Sequence, residues 1–362
     1  MCYDKYEHEL SKNRAEGLLM LNRLFKKKEE KKDPFVSGLY GFVIGDAFGL
    51  PIEFMNRDRL KQNPVTDMIP MGTYRFPIGT WSDDSSMIFA TMDAFKKETE
   101  LPKIYRQMLR NFLDWKHRGE FTPNGEMFDI EKTTAIALRR YQIQVLRDHP
   151  EHISCGMTQL SSNGNGSLMR ILPVAFYLYQ TDIDVMSKEA WEMVKTVSSM
   201  THAHIYSVLG CYIYVIYVIE LLKGCEKHTA YQNMQEKINQ LEEYQEDLHS
   251  IYKRISTVDL ATVKEEKIGS SGYIVETLEA VLWSILTTDS FSDAVVCATN
   301  LGDDTDTIGA LTGALAGIIY GYEAIPEKWL NYIKKRKWVD QEIASFDQYL
   351  KQLSIETKKS KE

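Results

Sequence analysis

Apolar residues recur at helical spacing along most of this chain of 362 residues. Steps of three and four residues place such side chains on one face of an α-helix. The pattern predicts helices over 87–95, 104–115, 133–141, 169–179, 205–222 and 273–286. Between them we find no run in which apolar and polar residues alternate, as they would in a strand. The sequence therefore predicts an all-α protein.

Two further apolar stretches carry glycine at every third or fourth position. One contains Gly38, Gly41, Gly45 and Gly49, and the other contains Gly309, Gly313, Gly317 and Gly321. Glycines at these spacings share one helical face, where the missing Cβ lets another backbone approach closely. We expect the second helix in particular to lie deep against a neighbouring backbone.

Changes in composition divide the chain. Residues 1–33 are predicted to form an amphipathic helical arm, packed on its own domain or extended towards a partner protein. Residues 34–340 form the main domain, in which the charged stretch at about 223–267 is expected to be a helical hairpin or insertion rather than core. Residues 341–362 are predicted to be a C-terminal helix and a frayed tail.

Charge and cysteine usage narrow the function classes. The 43 Lys and Arg against 51 Asp and Glu give a net charge of −8, which argues against a nucleic acid partner. The uncharged stretches 205–219 and 307–322 fall short of the roughly 18 apolar residues of a membrane span, so we expect no membrane partner. Five scattered cysteines without a Cys-x-x-Cys pair indicate a reduced, cytoplasmic setting.

Two carboxylate-rich segments each precede an apolar helix. Such residues are ordinary N-caps, and for one segment that interpretation is as good as any other. Two segments without Lys or Arg, one of them opening the second glycine helix, favour a cation, because buried unpaired carboxylates are costly. Oxygen ligands favour Mg²⁺ or Mn²⁺, and four or more carboxylates can hold two ions. The segments contain Ser82, Asp83 and Asp84, and Asp303, Asp304, Asp306 and Thr307.

Three other features carry weaker signals. The loop 161–170 is rich in Gly and Asn, which suits an anion such as a diphosphate, although an ordinary turn fits equally. His202 and the turn 269–273 are helix caps or ligand contacts. Glu53 lies among apolar residues, where burial would raise its pKa and suit it to proton transfer; a paired structural glutamate is the alternative.

Taken in order, these motifs resemble the ADP-ribosylglycohydrolase family, relatives of the dinitrogenase-reductase-activating glycohydrolase, over about residues 35–335. The resemblance implies a compact single-domain all-α fold with a binuclear Mg²⁺ or Mn²⁺ centre in a cleft. Its pattern implies that Glu53 and Asp304 are catalytic, and that the metal ligands are Ser82, Asp83, Asp84, Asp304, Asp306 and Thr307. It implies substrate binding by Asn163, Gly164, Asn165, Gly166, Ser167, Arg170, His202, Ser271, Gly272 and Tyr273, with Ser270 nearby.

The resemblance implies a hydrolase that removes ADP-ribose from protein side chains, arginine by default and serine otherwise, by water attack at the anomeric carbon. The alternative is an ADP-ribose-binding or immunity protein that neutralises an ADP-ribosylating toxin, with residues 1–33 contacting the toxin. A metal-dependent phosphohydrolase shares the carboxylates but not the motif order. Ser82 and Asp303 depart from the family, which commonly has Thr and Gly there.

Overall fold

The computed structural model describes residues 33–360, which contain sixteen α-helices and no β-strand, only two isolated bridges. The all-α prediction is therefore confirmed. The helices are α1 Pro34–Gly49, α2 Arg57–Gln62, α3 Asp83–Lys97, α4 Leu101–Arg118, α5 Lys132–Leu146, α6 Leu172–Gln180, α7 Lys188–Ser199, α8 Ile205–Leu222, α9 Lys227–Ile238, α10 Gln245–Ser250, α11 Lys253–Thr257, α12 Ile274–Leu286, α13 Phe291–Thr299, α14 Thr305–Tyr320, α15 Glu327–Tyr332 and α16 Arg336–Lys359. Short 3₁₀ turns at Leu50–Ile52, Leu160–Ser162, Leu168–Arg170, Glu242–Tyr244, Leu260–Thr262, Glu265–Lys267 and Tyr322–Ala324 connect them.

The two glycine-rich helices, α1 and α14, pack against each other along their glycine faces. A Cβ added at Gly45 would stand 1.9 Å from the carbonyl oxygen of Gly309, and one at Gly41 would stand 2.0 Å from that of Gly313. The pairing continues with Gly49 against Thr305, so the helices run antiparallel. Only glycine permits this approach, because any Cβ would overlap the opposite backbone. The expected deep packing is confirmed.

Antiparallel packing brings the end of α1 beside the start of α14. The chain reaches α14 through Gly302 and Asp303, whose φ angles of 81° and 59° make a left-handed turn. The N–H of Asp303 donates to the carbonyl of Met55 at 2.9 Å, which ties this turn to the segment that follows α1. The start of α3 joins them, since the Ser82 N–H donates to Asp46 of α1 at 2.9 Å. Three helix ends therefore meet at one place.

Within residues 33–360, two helical segments are long and apolar enough to cross a membrane, Pro34–Ile52 and Ile205–Leu222. About 89% of each lies buried inside the protein, which is the environment of a core helix. The uncharged stretch 205–219 is part of α8, which continues through Glu220 to Leu222, where the helical spacing predicted its end; only this full length reaches that of a membrane span.

Two domain expectations change with the structure. The segment 223–267 is helical as predicted, but its apolar face belongs to the core: Tyr231, Met234, Leu248 and Ile255 are all buried. Many of its charged residues face outward, so the sequence pattern did not reveal that the segment contributes to the core. The C-terminal helix α16 begins at Arg336, ahead of the predicted boundary at 341, and buries Val339, Ile343, Phe346 and Leu350. The arm at 1–32 lies outside the described residues.

The glycine contact predicts a sharp difference between two alanine variants of α1. In Gly45→Ala the new Cβ meets backbone at 1.9 Å, whereas in Gly38→Ala it meets the Ile318 side chain at 3.0 Å, which can rotate away. We expect Gly45→Ala to lower the free energy of unfolding by at least about 3 kcal/mol, and Gly38→Ala to change it by less than about 1 kcal/mol. Urea unfolding followed by circular dichroism measures both, and equal stabilities would contradict the packing.

Candidate active site

The meeting point of the three helix ends opens into a cavity of about 410 Å³. Among the described residues that line it, eight carry a carboxylate and none is Lys or Arg. The acidic ones are Glu53, Asp83, Asp84, Asp129, Glu131, Asp303, Asp304 and Asp306; Asn165, Gly166, Ser271, Gly272 and Thr307 also line it. Such a cavity has a strongly negative potential unless cations or protons enter it.

The two acidic segments of the sequence meet here as two compact oxygen clusters. Asp46, Asp84 and Asp306 offer one oxygen each within 4.8 Å of one another, and so do Glu53, Asp304 and Asp306. Asp306 belongs to both clusters, which makes them adjacent. The first turn of α14 thus supplies carboxylates that α3 and the segment after α1 complete.

Asp46 is fully buried, and both of its carboxylate oxygens already accept hydrogen bonds. It accepts hydrogen bonds from the backbone N–H groups of Ser82 and Ser85 at 2.9 and 3.0 Å, and from the Ser85 hydroxyl. Burial raises the pKa of Asp46 to about 6, although these hydrogen bonds oppose the rise. Asp46 therefore holds the start of α3 in place beside the clusters.

Other carboxylate oxygens in the cluster lack partners. Glu53 Oε2 and Asp84 Oδ1 are buried and make no hydrogen bond. Unpaired buried oxygens of this kind are costly unless a cation or a proton joins them. An all-oxygen donor set with orphaned oxygens fits Mg²⁺ or Mn²⁺.

The electrostatics agree with this fit. Burial, then the neighbouring Asp304 charge, raises the pKa of Glu53 to about 8. Burial and neighbouring carboxylates likewise raise the pKa values of Asp83, Asp84 and Asp306 well above their usual range. The pKa of Asp304 is raised by burial too, although its hydrogen bonds oppose the shift.

The hydroxyls predicted as ligands lie at the edge of the clusters. Ser82 is the N-cap of α3: its Oγ accepts from the Asp84 N–H at 3.2 Å and lies 3.0 Å from Asp84 Oδ2. Thr307 donates to the same carboxylate at 3.4 Å and lines the cavity. Asp303 is exposed at the rim and belongs to neither cluster.

The glycine and asparagine loop reaches the clusters through Asn165. Its amide donates to Asp304 and, at 3.0 Å, to Thr277. The loop is tied to the turn before α12, because Asn165 N–H donates to the Gly272 carbonyl and Ile274 N–H to the Asn163 carbonyl, both at 3.0 Å. Gly272 lines the cavity beside Asp304, where a Cβ would stand 3.3 Å from the carboxylate.

Hydrogen bonds from Ser270 and Ser271 fix the turn that carries Gly272. Ser271 lines the cavity and donates to Glu276 at 2.6 Å, while Ser270 is buried and donates to the Leu301 carbonyl at 3.0 Å. Tyr273 is half-buried and follows the loop contact without lining the cavity. The predicted residues of this turn therefore lie beside the site, with Ser271 and Gly272 facing it.

Arg170 and Ser167 do not fit the prediction that they bind substrate directly. Arg170 is fully buried, and its guanidinium donates to the carbonyls of Gly166 and Val197 and to the Thr201 hydroxyl. Ser167 is also fully buried and contacts Ser198 at 3.1 Å. Arg170 therefore supports the loop on the side away from the cavity, because its guanidinium pairs with the backbone carbonyl of Gly166.

Sequence reasoning missed four residues at the site. Asp46 is the one charge in an otherwise apolar helix, and that isolation was its signal. Asp129 and Glu131 line the cavity just before α5, where they look like ordinary helix-start acids. Tyr74 donates to Asp129 at 3.0 Å, and its hydroxyl acts to lower the pKa of Glu53; no local pattern marks it.

The fold and the site together define a class of protein: an all-α protein with an acidic cavity suited to divalent cations. The sequence matches the ADP-ribosylglycohydrolase family over residues 27–360. The chain belongs to this family and is an enzyme of it. That assignment covers the main domain and α16 together.

Individual relatives span most of the chain. The ADP-ribosylarginine hydrolase Tri1 of Serratia proteamaculans (strain 568) is 32% identical over 86% of this chain and 78% of its own. The ADP-ribosyl-[dinitrogen reductase] glycohydrolase of Rhodospirillum rubrum is 27% identical over 86% and 93%. A solved structure named ADP-ribosylglycohydrolase-related protein complex matches the fold with a TM-score of 0.67 at 23% identity, over 89% of this chain and 99% of its own. These names give no support to a toxin partner.

The raised pKa values predict how pH affects stability when divalent cations are removed. A carboxyl whose folded pKa exceeds its unfolded pKa makes the folded state bind more protons, so stability falls as pH rises through the folded value. For Asp46 and Glu53 that window extends from about 4 to about 8. With a chelator present, we expect the melting temperature to drop between about pH 6 and about pH 8.5, and Mg²⁺ or Mn²⁺ to restore it.

Thermal unfolding by calorimetry at both pH values measures this effect. Glu53→Gln removes one titrating group and should flatten the pH dependence, whereas Glu126→Gln, an exposed acid in the loop before Asp129, should leave it unchanged. A chelated protein that is equally stable at both pH values would contradict the buried-charge interpretation.

Proposed function

We propose that this enzyme hydrolyses the bond between ADP-ribose and a modified arginine side chain of a protein, and that it uses two Mg²⁺ or Mn²⁺ ions. The observation that carries the proposal is the pair of carboxylate clusters joined at Asp306 in one cavity. The family is one of ADP-ribosylglycohydrolases, and relatives at 32% and 31% identity are named ADP-ribosylarginine hydrolases.

Asp84, Asp304 and Asp306 would hold the ions, with Asp83, Ser82 and Thr307 completing the donor set, and Glu53 would lie beside them as a protonated carboxyl. Divalent cations in such a site orient sugar hydroxyls, neutralise charge and make water more acidic. Asp46 stays outside the donor set, because the amides at the start of α3 already occupy its oxygens.

The residues of the chain supply positioning and proton transfer. Water attacks the anomeric carbon while the bond to the guanidine nitrogen breaks; the water gives up a proton and the departing nitrogen takes one. Asp304, which accepts a hydrogen bond from the Asn165 amide, would accept the first. Burial and the Asp304 charge raise the pKa of Glu53 to about 8, so Glu53 keeps a proton at neutral pH and would give the second.

The rim of the cavity favours arginine over serine as the acceptor. Asp129 adds a carboxylate to the lining of the cavity and belongs to neither cluster. A guanidinium group pairs well with carboxylates, often through two hydrogen bonds, whereas a serine hydroxyl gains little from them.

A peptide assay tests the reaction. ADP-ribosylarginine and ADP-ribosylserine peptides are incubated with the full chain and Mg²⁺, Mn²⁺ or EDTA, and the products are identified by mass spectrometry. We expect free ADP-ribose from the arginine peptide with either metal and none with EDTA. Release of AMP would indicate a phosphohydrolase, and no release from either peptide would overturn the proposal.

Two neighbouring substitutions separate cluster acids from rim acids. Asp304→Asn removes a cluster oxygen and should lower kcat on the arginine peptide by at least about a hundredfold. Asp303→Asn removes the adjacent charge, keeps a residue type that tolerates the left-handed backbone, and should stay within about threefold of the native enzyme. Equal losses in both variants would show that overall charge, rather than the clusters, drives the reaction.

A further inference from the structure

Glu131 lies where the carboxylate clusters do not reach. It precedes α5 and lines the cavity, and its carboxylate packs against the loop at Gly164 and Gly166. A Cβ on Gly164 would stand 2.2 Å from Glu131 Oε1, and one on Gly166 would stand 2.3 Å from Oε2. The space that the two missing side chains leave above the loop is therefore filled by a carboxylate.

The same carboxylate covers His202. The imidazole is fully buried, its Nδ1 lies 2.7 Å from the Thr201 hydroxyl, and its Nε2 lies 2.8 Å from Glu131 Oε2. Nε2 forms no hydrogen bond of ordinary geometry, so Glu131 lies close to it without a well-aligned bond. Burial acts to raise the pKa of Glu131, but the close contact with His202 brings it below its usual value. The group over the loop is thus an anion facing a buried imidazole nitrogen.

A position that holds a carboxylate against glycine backbone and an imidazole is chemically a position for an anion. The proposed substrate carries a diphosphate, and no Lys or Arg lines the cavity among the described residues to neutralise it. Arg170 cannot serve, because its guanidinium is buried and hydrogen-bonded behind the loop. His202 and the glycine and asparagine loop are therefore the groups that can contact a phosphate at this end of the cavity.

We propose that Glu131 competes with the diphosphate of ADP-ribose for the position over Gly164 and Gly166, and that its side chain swings away from His202 when substrate binds. The inference rests on the proposed function only in naming ADP-ribose as the ligand. The Glu131 side chain keeps 31% of its surface exposed, so it has open space into which to turn. Its charge weakens binding of ADP-ribose, both as part of the substrate and as the product.

The test compares two variants that remove one negative charge from the same loop. Glu131→Gln keeps the size of the side chain but not its charge, and Glu126→Gln removes an exposed charge five residues earlier. Binding of ADP-ribose, and of adenosine as a ligand without phosphate, is measured by isothermal titration calorimetry with Mg²⁺ present. We expect Glu131→Gln to bind ADP-ribose at least tenfold more tightly than the native chain and adenosine equally, and Glu126→Gln to match the native chain.

Several results would overturn the competition. They are unchanged or weaker ADP-ribose binding by Glu131→Gln, an equal gain in Glu126→Gln, an equal gain for adenosine, and no ADP-ribose binding by any form. Thermal unfolding checks that both variants remain folded.

The binding measurement stands apart from the peptide assay. Tighter binding by Glu131→Gln without peptide hydrolysis would support the competition and contradict the proposed function. Peptide hydrolysis together with unchanged ADP-ribose binding by Glu131→Gln would support the proposed function and contradict the competition. If both hold, Glu131→Gln should lower KM for the arginine peptide without lowering kcat, because the competition acts on binding.

Discussion

The direct contact between the glycine faces of α1 and α14 is the constraint on which the site depends. Helix axes normally lie about 8–10 Å apart because side chains separate them. Here any Cβ at Gly41 or Gly45 would overlap the opposite backbone, so the pair is closer and its register is fixed. With that register set, the end of α1 meets the start of α14. Asp46 and Glu53 consequently lie within reach of Asp304 and Asp306 without any flexible segment between them.

This arrangement brings carboxylates that repel one another together inside the protein. Several carboxylates with raised pKa values share one cavity, and two of their oxygens have no partner. The surrounding structure offsets part of the cost through Asp46, which receives the free N–H groups at the start of α3. The remaining cost should lower the stability of the metal-free protein, because the charge of such a preformed site is balanced only when cations or protons arrive.

The sequence alone predicted those parts of the fold and site that have a local pattern. Helical spacing found α8 to its last residue, and the two acidic segments were recognised because they interrupt apolar surroundings. That the two glycine faces contact each other was not predictable, since spacing shows a close approach but not its partner. Arg170 was assigned to substrate because residue type does not reveal burial. Asp129 and Glu131 resemble ordinary helix starts, and only tertiary structure turns them towards the cavity.

The site divides into a fixed side and an adaptable side. The cluster acids Asp84 and Asp306 belong to the first turns of long helices, and Arg170 holds the glycine loop from behind, so these positions are set by the core. Phe54 instead follows a short 3₁₀ turn and is 69% exposed with a φ angle of 63°. Residues that a core does not hold can change without disturbing the fold. For the proposed reaction, therefore, the helices would define the bond to be broken, whereas the short segments at the rim would select the acceptor side chain.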